Sequence, residues 1–122
     1  MEVGEIDDRR TFTHVKDIVE AYWLSTQKCK PGELYLVGSE EKEKNTFTFR
    51  DALKKLISMS NEKNIQFKIV PKFVRPTNVP RLIADTYKFR KITGWKPKLK
   101  FNDILVDTLN FWRNKIKNND HI

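Results

Sequence analysis

Tyr87 and Lys91 stand in the spacing Tyr-x-x-x-Lys inside "ADTYKFRKITGWKP", residues 84 to 97. On a helix these positions lie one turn apart on one face, where an ammonium can lower the phenol pKa and ready it for proton transfer. That chemistry works beside a dinucleotide hydride carrier, and a dinucleotide needs a Gly-rich turn between a strand and a helix. The four glycines, at 4, 32, 38 and 94, are isolated from one another, and Gly94 has the position of a helix stop. The pair therefore reads as part of an amphipathic helix face, and no residue of this chain is assigned a catalytic role.

Metal and thiol chemistry find little support. Cys29 is the only cysteine, so neither an intramolecular disulfide nor a multi-thiolate metal site can form, and its setting, "QKCKPG", is polar. His14 and His121 are far apart in sequence, and no metal site is expected. The net charge of +8 points to an anionic partner: a phosphorylated small molecule, nucleic acid or an acidic surface. The lysines and arginines are scattered, and most of them read as solvated surface. A basic nucleic-acid-binding module is the alternative of another class; against it stands the lack of aromatics interleaved with basic residues. At 122 residues the chain is expected to form one domain. It contains no long apolar run or signal peptide, and a cytoplasmic location is the default.

The elements that must position any site follow from periodicity. A short strand is expected around Val3 to Ile6. Val15, Ile18, Val19, Tyr22 and Trp23 recur at the spacing of one apolar helix face, and "KPGE" ends that helix. "ELYLVGS" reads as a strand covered on both faces, the habit of parallel sheets. Thr48 with Asp51 resembles a capping box, ahead of an apolar stripe through Phe49, Ala52, Leu53, Leu56 and Ile57. "IQFKIV" alternates like a half-exposed strand near a sheet edge. "PKFVRPTNVPR" is stiffened by three prolines into an extended loop. Asp85 can cap a short helix ending at Gly94. A last helix begins near Asn102, after a staple of Phe101 with Val106, and would bury Ile104, Leu105, Leu109, Trp112 and Ile116. The expected fold class is α/β: a small layered domain with a short, mostly parallel sheet and flanking helices.

Taken together, "GEIDDRRTFTHVKDIVEAYWL", "GELYLVGS" and "RPTNVPRLIADTYKFRKITGWKPKLKFNDILVDTLNFWR" resemble the C-terminal part of the extended short-chain dehydrogenase/reductase family. These are sugar-nucleotide epimerases, dehydratases and reductases. Arg-Pro-x-x-Val, then Asp-x-x-Lys, then Gly-Trp-x-Pro carry the resemblance, which runs from residue 3 to about 116. Within the family the pattern is most similar to the GDP-mannose 4,6-dehydratases, which are lyases, and next to the GDP-4-dehydro-6-deoxymannose reductases. The resemblance implies a portion that binds a nucleotide-diphosphate sugar. It also implies that the NAD(P)-binding Rossmann half, with the catalytic Ser/Thr, Tyr and Lys, belongs to a longer parent. On that expectation this chain binds no cofactor and is catalytically incomplete alone. The face that meets the absent half should be apolar, and exposing it should favour homo-oligomers.

The same resemblance places substrate diphosphate contacts on Arg10 and Arg75, and a ribose contact on Asn78. Independently, a guanidinium offers a planar fork of donors matched to phosphate oxygens, and Pro76 stiffens the loop at Arg75. The competing reading is that either arginine pairs with a carboxylate such as Asp7 or Asp8. Thr11 stands where relatives usually carry aspartate, and Asn78 where they carry an acidic residue, so the ribose contact would be made without charge. Asp17 is expected to serve the start of its own helix, and Trp95 and Pro97 to pack in the core.

Overall fold

The computed structural model describes residues 1–118 apart from 41, 43, 63 and 76–78. Five short strands and four α-helices follow one another along these residues: β1 (Glu2–Val3), β2 (Arg9–Thr11), α1 (Val15–Lys28), β3 (Thr46–Thr48), α2 (Phe49–Ser58), β4 (Lys68–Ile69), β5 (Arg81–Leu82), α3 (Tyr87–Thr93) and α4 (Phe101–Lys117). A 3₁₀ turn at Pro71–Phe73 precedes β5. β1 pairs in parallel with β4, Val3 opposite Ile69. The other sheet has the order β3-β2-β5, with β2 and β5 parallel and Arg10 opposite Leu82. The architecture is a small α/β arrangement with short parallel pairings. Its contacts gather into two units, one made of residues 1–10 and 47–82, the other of 11–46 and 83–122.

In the first unit, the capping box at α2 forms as expected: the Asp51 amide donates to Thr48 Oγ1 at 3.0 Å, and the Thr48 amide donates to Asp51 Oδ2 at 2.9 Å. The expected strand at 65–70 shrinks to Lys68–Ile69, because β1 offers only Glu2 and Val3 as neighbours. Gly4 lies so close to the 3₁₀ turn that a Cβ there would stand 2.3 Å from the Phe73 carbonyl oxygen. Only glycine permits that approach.

The second unit is held by a small aromatic core and by buried polar side chains bonded to backbone. Ala21, Phe89 and Trp95 are buried together, with Leu24, Cys29, Tyr35 and Val37 packed against them. Phe89 meets Trp95 edge to face at 5.8 Å. Asp17, 2% exposed, is the acidic residue in the first turn of α1, as expected, and its Oδ2 also accepts the Leu99 amide at 3.0 Å. The indole of Trp95 donates to the Asp17 carbonyl at 3.1 Å, so Trp95 is a core residue with its polar edge satisfied, and Pro97 is buried near it in sequence. His14 is the N-cap of α1. Its Nδ1 accepts the Lys16 amide at 3.1 Å, which leaves Nε2 to donate to Asp107 at 3.1 Å. Asp85 Oδ1 accepts the Tyr87 amide at 3.0 Å, and Gly94 ends α3 at φ 72°.

Three expectations are corrected here. The apolar stripe of α1 does not face the core: Val15, Val19, Tyr22 and Trp23 are 67, 61, 67 and 65% exposed, and the buried positions are Asp17 and Ala21. Residues 33–37 belong to no strand, since a strand exists only with a hydrogen-bonded neighbour and none is present among the described residues. α4 buries Phe101 and Leu105, whereas Trp112 and Ile116 are exposed.

Removing the buried Asp17 carboxylate leaves the partly buried Leu99 amide unpaired, a cost of about 1 kcal/mol. Asp17→Ala should lower the urea midpoint accordingly, and Asp17→Asn, whose amide oxygen still accepts, should recover most of the loss.

Candidate functional site

The first unit contains a cleft of about 550 Å³ lined by both arginines singled out from the sequence, Arg10 and Arg75. Arg10 is delivered by β2. Because side chains alternate along a strand, Arg10 shares a face with Leu82, its register partner on β5, and both line the cleft. Arg75 follows the 3₁₀ turn, which is closed by the Val74 amide bonding to the Pro71 carbonyl at 3.0 Å. Phe49, Phe73, Val79 and Leu82 give the lining an apolar wall, and Gly4, Glu5 and Asp8 complete it, the last two with carboxylates. Asn78, the remaining expected contact, lies outside the described residues, as does Pro76.

The ion pairs decide which cations are available. Arg10 donates to Asp8 at 3.1 Å and to its neighbour's carbonyl, that of Arg9, at 2.9 Å, so the competing pairing with Asp8 exists within the cleft itself. Two of the five guanidinium donors are engaged by these bonds. Asp7 is taken by Arg50, whose Nε and Nη2 donate at 2.5 and 2.7 Å in a bidentate pair. Nothing in the sequence signals this pair, since its two residues stand 43 positions apart. The bond from Arg50 holds the Asp7 carboxyl below the usual aspartate range. Among the described residues Arg75 makes no ion pair or hydrogen bond. One guanidinium is thus oriented by a carboxylate and the other has no partner among the described residues, an arrangement suited to gripping an anion with two or more oxygens.

A larger cleft, about 620 Å³, lies in the second unit beside His14, Lys16 and Asp107. It is a poor candidate for acid–base chemistry because both imidazole nitrogens of His14 are already bonded. Tyr87 is 65% exposed, and the Lys91 ammonium sits over its ring, 5.8 Å from the centroid, on the π face. No cluster of metal-binding side chains occurs among the described residues. The glycines do not form a dinucleotide cradle either: Gly94 caps α3, Gly32 turns the chain after α1 at φ 79°, and Gly4 packs on Phe73.

Comparison with known proteins sets this geometry in context. The structure superposes on RMD from Pseudomonas aeruginosa complexed with NADPH, with a TM-score of 0.76 and 25% identity over 94% of this chain and 35% of that one. The fold is thus that of a part of the NAD(P)-binding, sugar-nucleotide-type short-chain dehydrogenase/reductases. Residues 1–108 match the family model for GDP-mannose 4,6 dehydratase, and the chain belongs to that family. A GDP-mannose 4,6 dehydratase of Drosophila melanogaster is 26% identical over 121 residues, 88% of this chain and 31% of that protein. A GDP-6-deoxy-D-mannose reductase of Pseudomonas aeruginosa is 26% identical over 96% of this chain and 37% of its own length. The chain therefore spans about a third of the curated relatives it matches.

Because the folded-state pKa of Asp7 is depressed, its pair with Arg50 stabilises fully above the ordinary aspartate pKa, and the contribution is lost as pH falls through the lower folded value. The thermal midpoint should drop more steeply below about pH 4 in the natural chain than in Asp7→Asn, measured by circular dichroism. Gly4→Ala should cost about 1–3 kcal/mol in urea unfolding, because the Phe73 backbone must move.

Proposed function

We propose that this chain is the portion of a GDP-mannose 4,6-dehydratase-like enzyme that binds the nucleotide-diphosphate sugar, with Arg10 and Arg75 holding the diphosphate. What supports this is the convergence of the two arginines, remote in sequence, on one cleft that also has an apolar wall. Diphosphate oxygens would take the fork of Arg75 and the remaining donors of Arg10, while the Asp8 carboxylate keeps Arg10 oriented. Phe49, Phe73 and Leu82 offer surface to a base or sugar ring, and Asn78 is assigned to the ribose.

On this reading the reaction itself, dehydration of the sugar with NAD(P), belongs to a longer protein whose Rossmann half partners this chain. The chain's own residues bind and orient the substrate. Reduction of a related GDP sugar is the alternative reaction, since the Pseudomonas aeruginosa relative is a GDP-6-deoxy-D-mannose reductase.

Titration calorimetry with millimolar GDP-mannose and GDP tests the assignment. Each charge-assisted contact is worth about 1.5–3 kcal/mol, so Arg75→Ala should weaken binding by about 10- to 150-fold, and Arg10→Ala comparably. Absence of heat with both ligands, together with no effect of Arg75→Ala, would overturn it.

A further inference from the structure

The cleft of the first unit has a charge balance that anion binding alone does not explain. Its lining holds two guanidiniums, Arg10 and Arg75, and two carboxylates, Glu5 and Asp8, so the formal charges of the lining cancel. Arg10 and Asp8 spend part of that charge on each other at 3.1 Å. Among the described residues, what remains without a partner is of both signs: the guanidinium of Arg75 and one carboxylate oxygen of Glu5. Glu5 Oε1 accepts the Asp7 amide at 2.8 Å, and Oε2 is the oxygen left over. Asp7 is itself held by the Nε and Nη2 of Arg50, and the Arg50 amide donates to the carbonyl of the buried Ile6 at 2.8 Å. Residues 5–7 are therefore tied to α2, and the Glu5 carboxylate is aimed before any ligand arrives.

A carboxylate oxygen accepts hydrogen bonds and cannot donate them. A ligand made of phosphate alone leaves Oε2 facing another anion, in a lining that offers no net positive charge to offset the repulsion. A ligand that carries a hydroxyl beside its diphosphate gives the same oxygen a donor, and the two form a charge-assisted bond. We infer that Glu5 is a specificity-determining residue of this cleft, its Oε2 accepting a hydroxyl from a sugar ring attached to the diphosphate. The ring is the ribose or the hexose, two sources of one chemistry. This role rests on the reading of the cleft as a diphosphate site, which by itself gives Glu5 no task. Its carboxylate opposes phosphate in general, so it selects among phosphorylated ligands instead of adding affinity for all of them.

Titration calorimetry of the 122-residue chain with pyrophosphate, GDP and GDP-mannose tests this. The three ligands carry a diphosphate with no ring hydroxyl, with ribose, and with ribose and hexose. Glu5→Ala should weaken GDP-mannose by about 10-fold or more while leaving pyrophosphate unchanged or tighter. A loss shared by GDP assigns the hydroxyl to the ribose, and a loss confined to GDP-mannose assigns it to the hexose. Glu5→Gln keeps an acceptor for the Asp7 amide, so it should show the same ligand pattern in smaller size even where Glu5→Ala fails to fold. Equal weakening of pyrophosphate would overturn the inference, because Glu5 would then only shape the cleft. Unchanged or tighter binding of all three ligands would overturn it as well, leaving Glu5 a source of repulsion. Arg75→Ala separates the two readings: if it weakens all three ligands while Glu5→Ala weakens none, the diphosphate site stands and the hydroxyl contact falls. If no ligand gives heat, both fall together.

Discussion

The parallel pairing of β2 with β5 is the constraint from which the candidate site follows. Parallel neighbours cannot be joined by a tight turn, so residues 9–11 and 81–82 meet only after the chain has completed α1, β3, α2 and β4. Their register puts Arg10 and Leu82 on one face, and that face becomes a wall of the cleft. The proline-bounded approach to β5 then supplies Arg75 to the same space. Shifting the register by one residue would exchange Arg10 for Arg9 and dismantle the arrangement.

Electrostatics sorts the surrounding charges by task. Asp7 is consumed by Arg50 in a two-bond pair that fixes the segment between β1 and β2 onto α2. Asp8 turns back onto Arg10 and limits where that guanidinium can go. An anion entering the cleft meets both carboxylate repulsion and guanidinium attraction, and only a ligand presenting several oxygens at once can gain from both arginines.

Helices were legible in the sequence because their apolar spacing and their stops are local properties. Thr48 with Asp51, and Gly94 after α3, form as read. The faces were less legible. Periodicity locates the stripe of Val15, Val19, Tyr22 and Trp23 but carries no information on what covers it, and in this chain the opposite side of α1 is buried through Ala21 and Asp17. The strands failed for a related reason: "ELYLVGS" has the composition of a central strand, but pairing depends on a neighbour elsewhere. Of the site, Arg10 and Arg75 were accessible through the family pattern, while Arg50 was not, because its partner lies 43 residues away and neither residue type signals the other.

Each of the two compact units is assembled from separated stretches, residues 1–10 with 47–82 and 11–46 with 83–122. Neither can be excised as one continuous run of codons. A recombination breakpoint placed between the first helix and the last strand would split both units together.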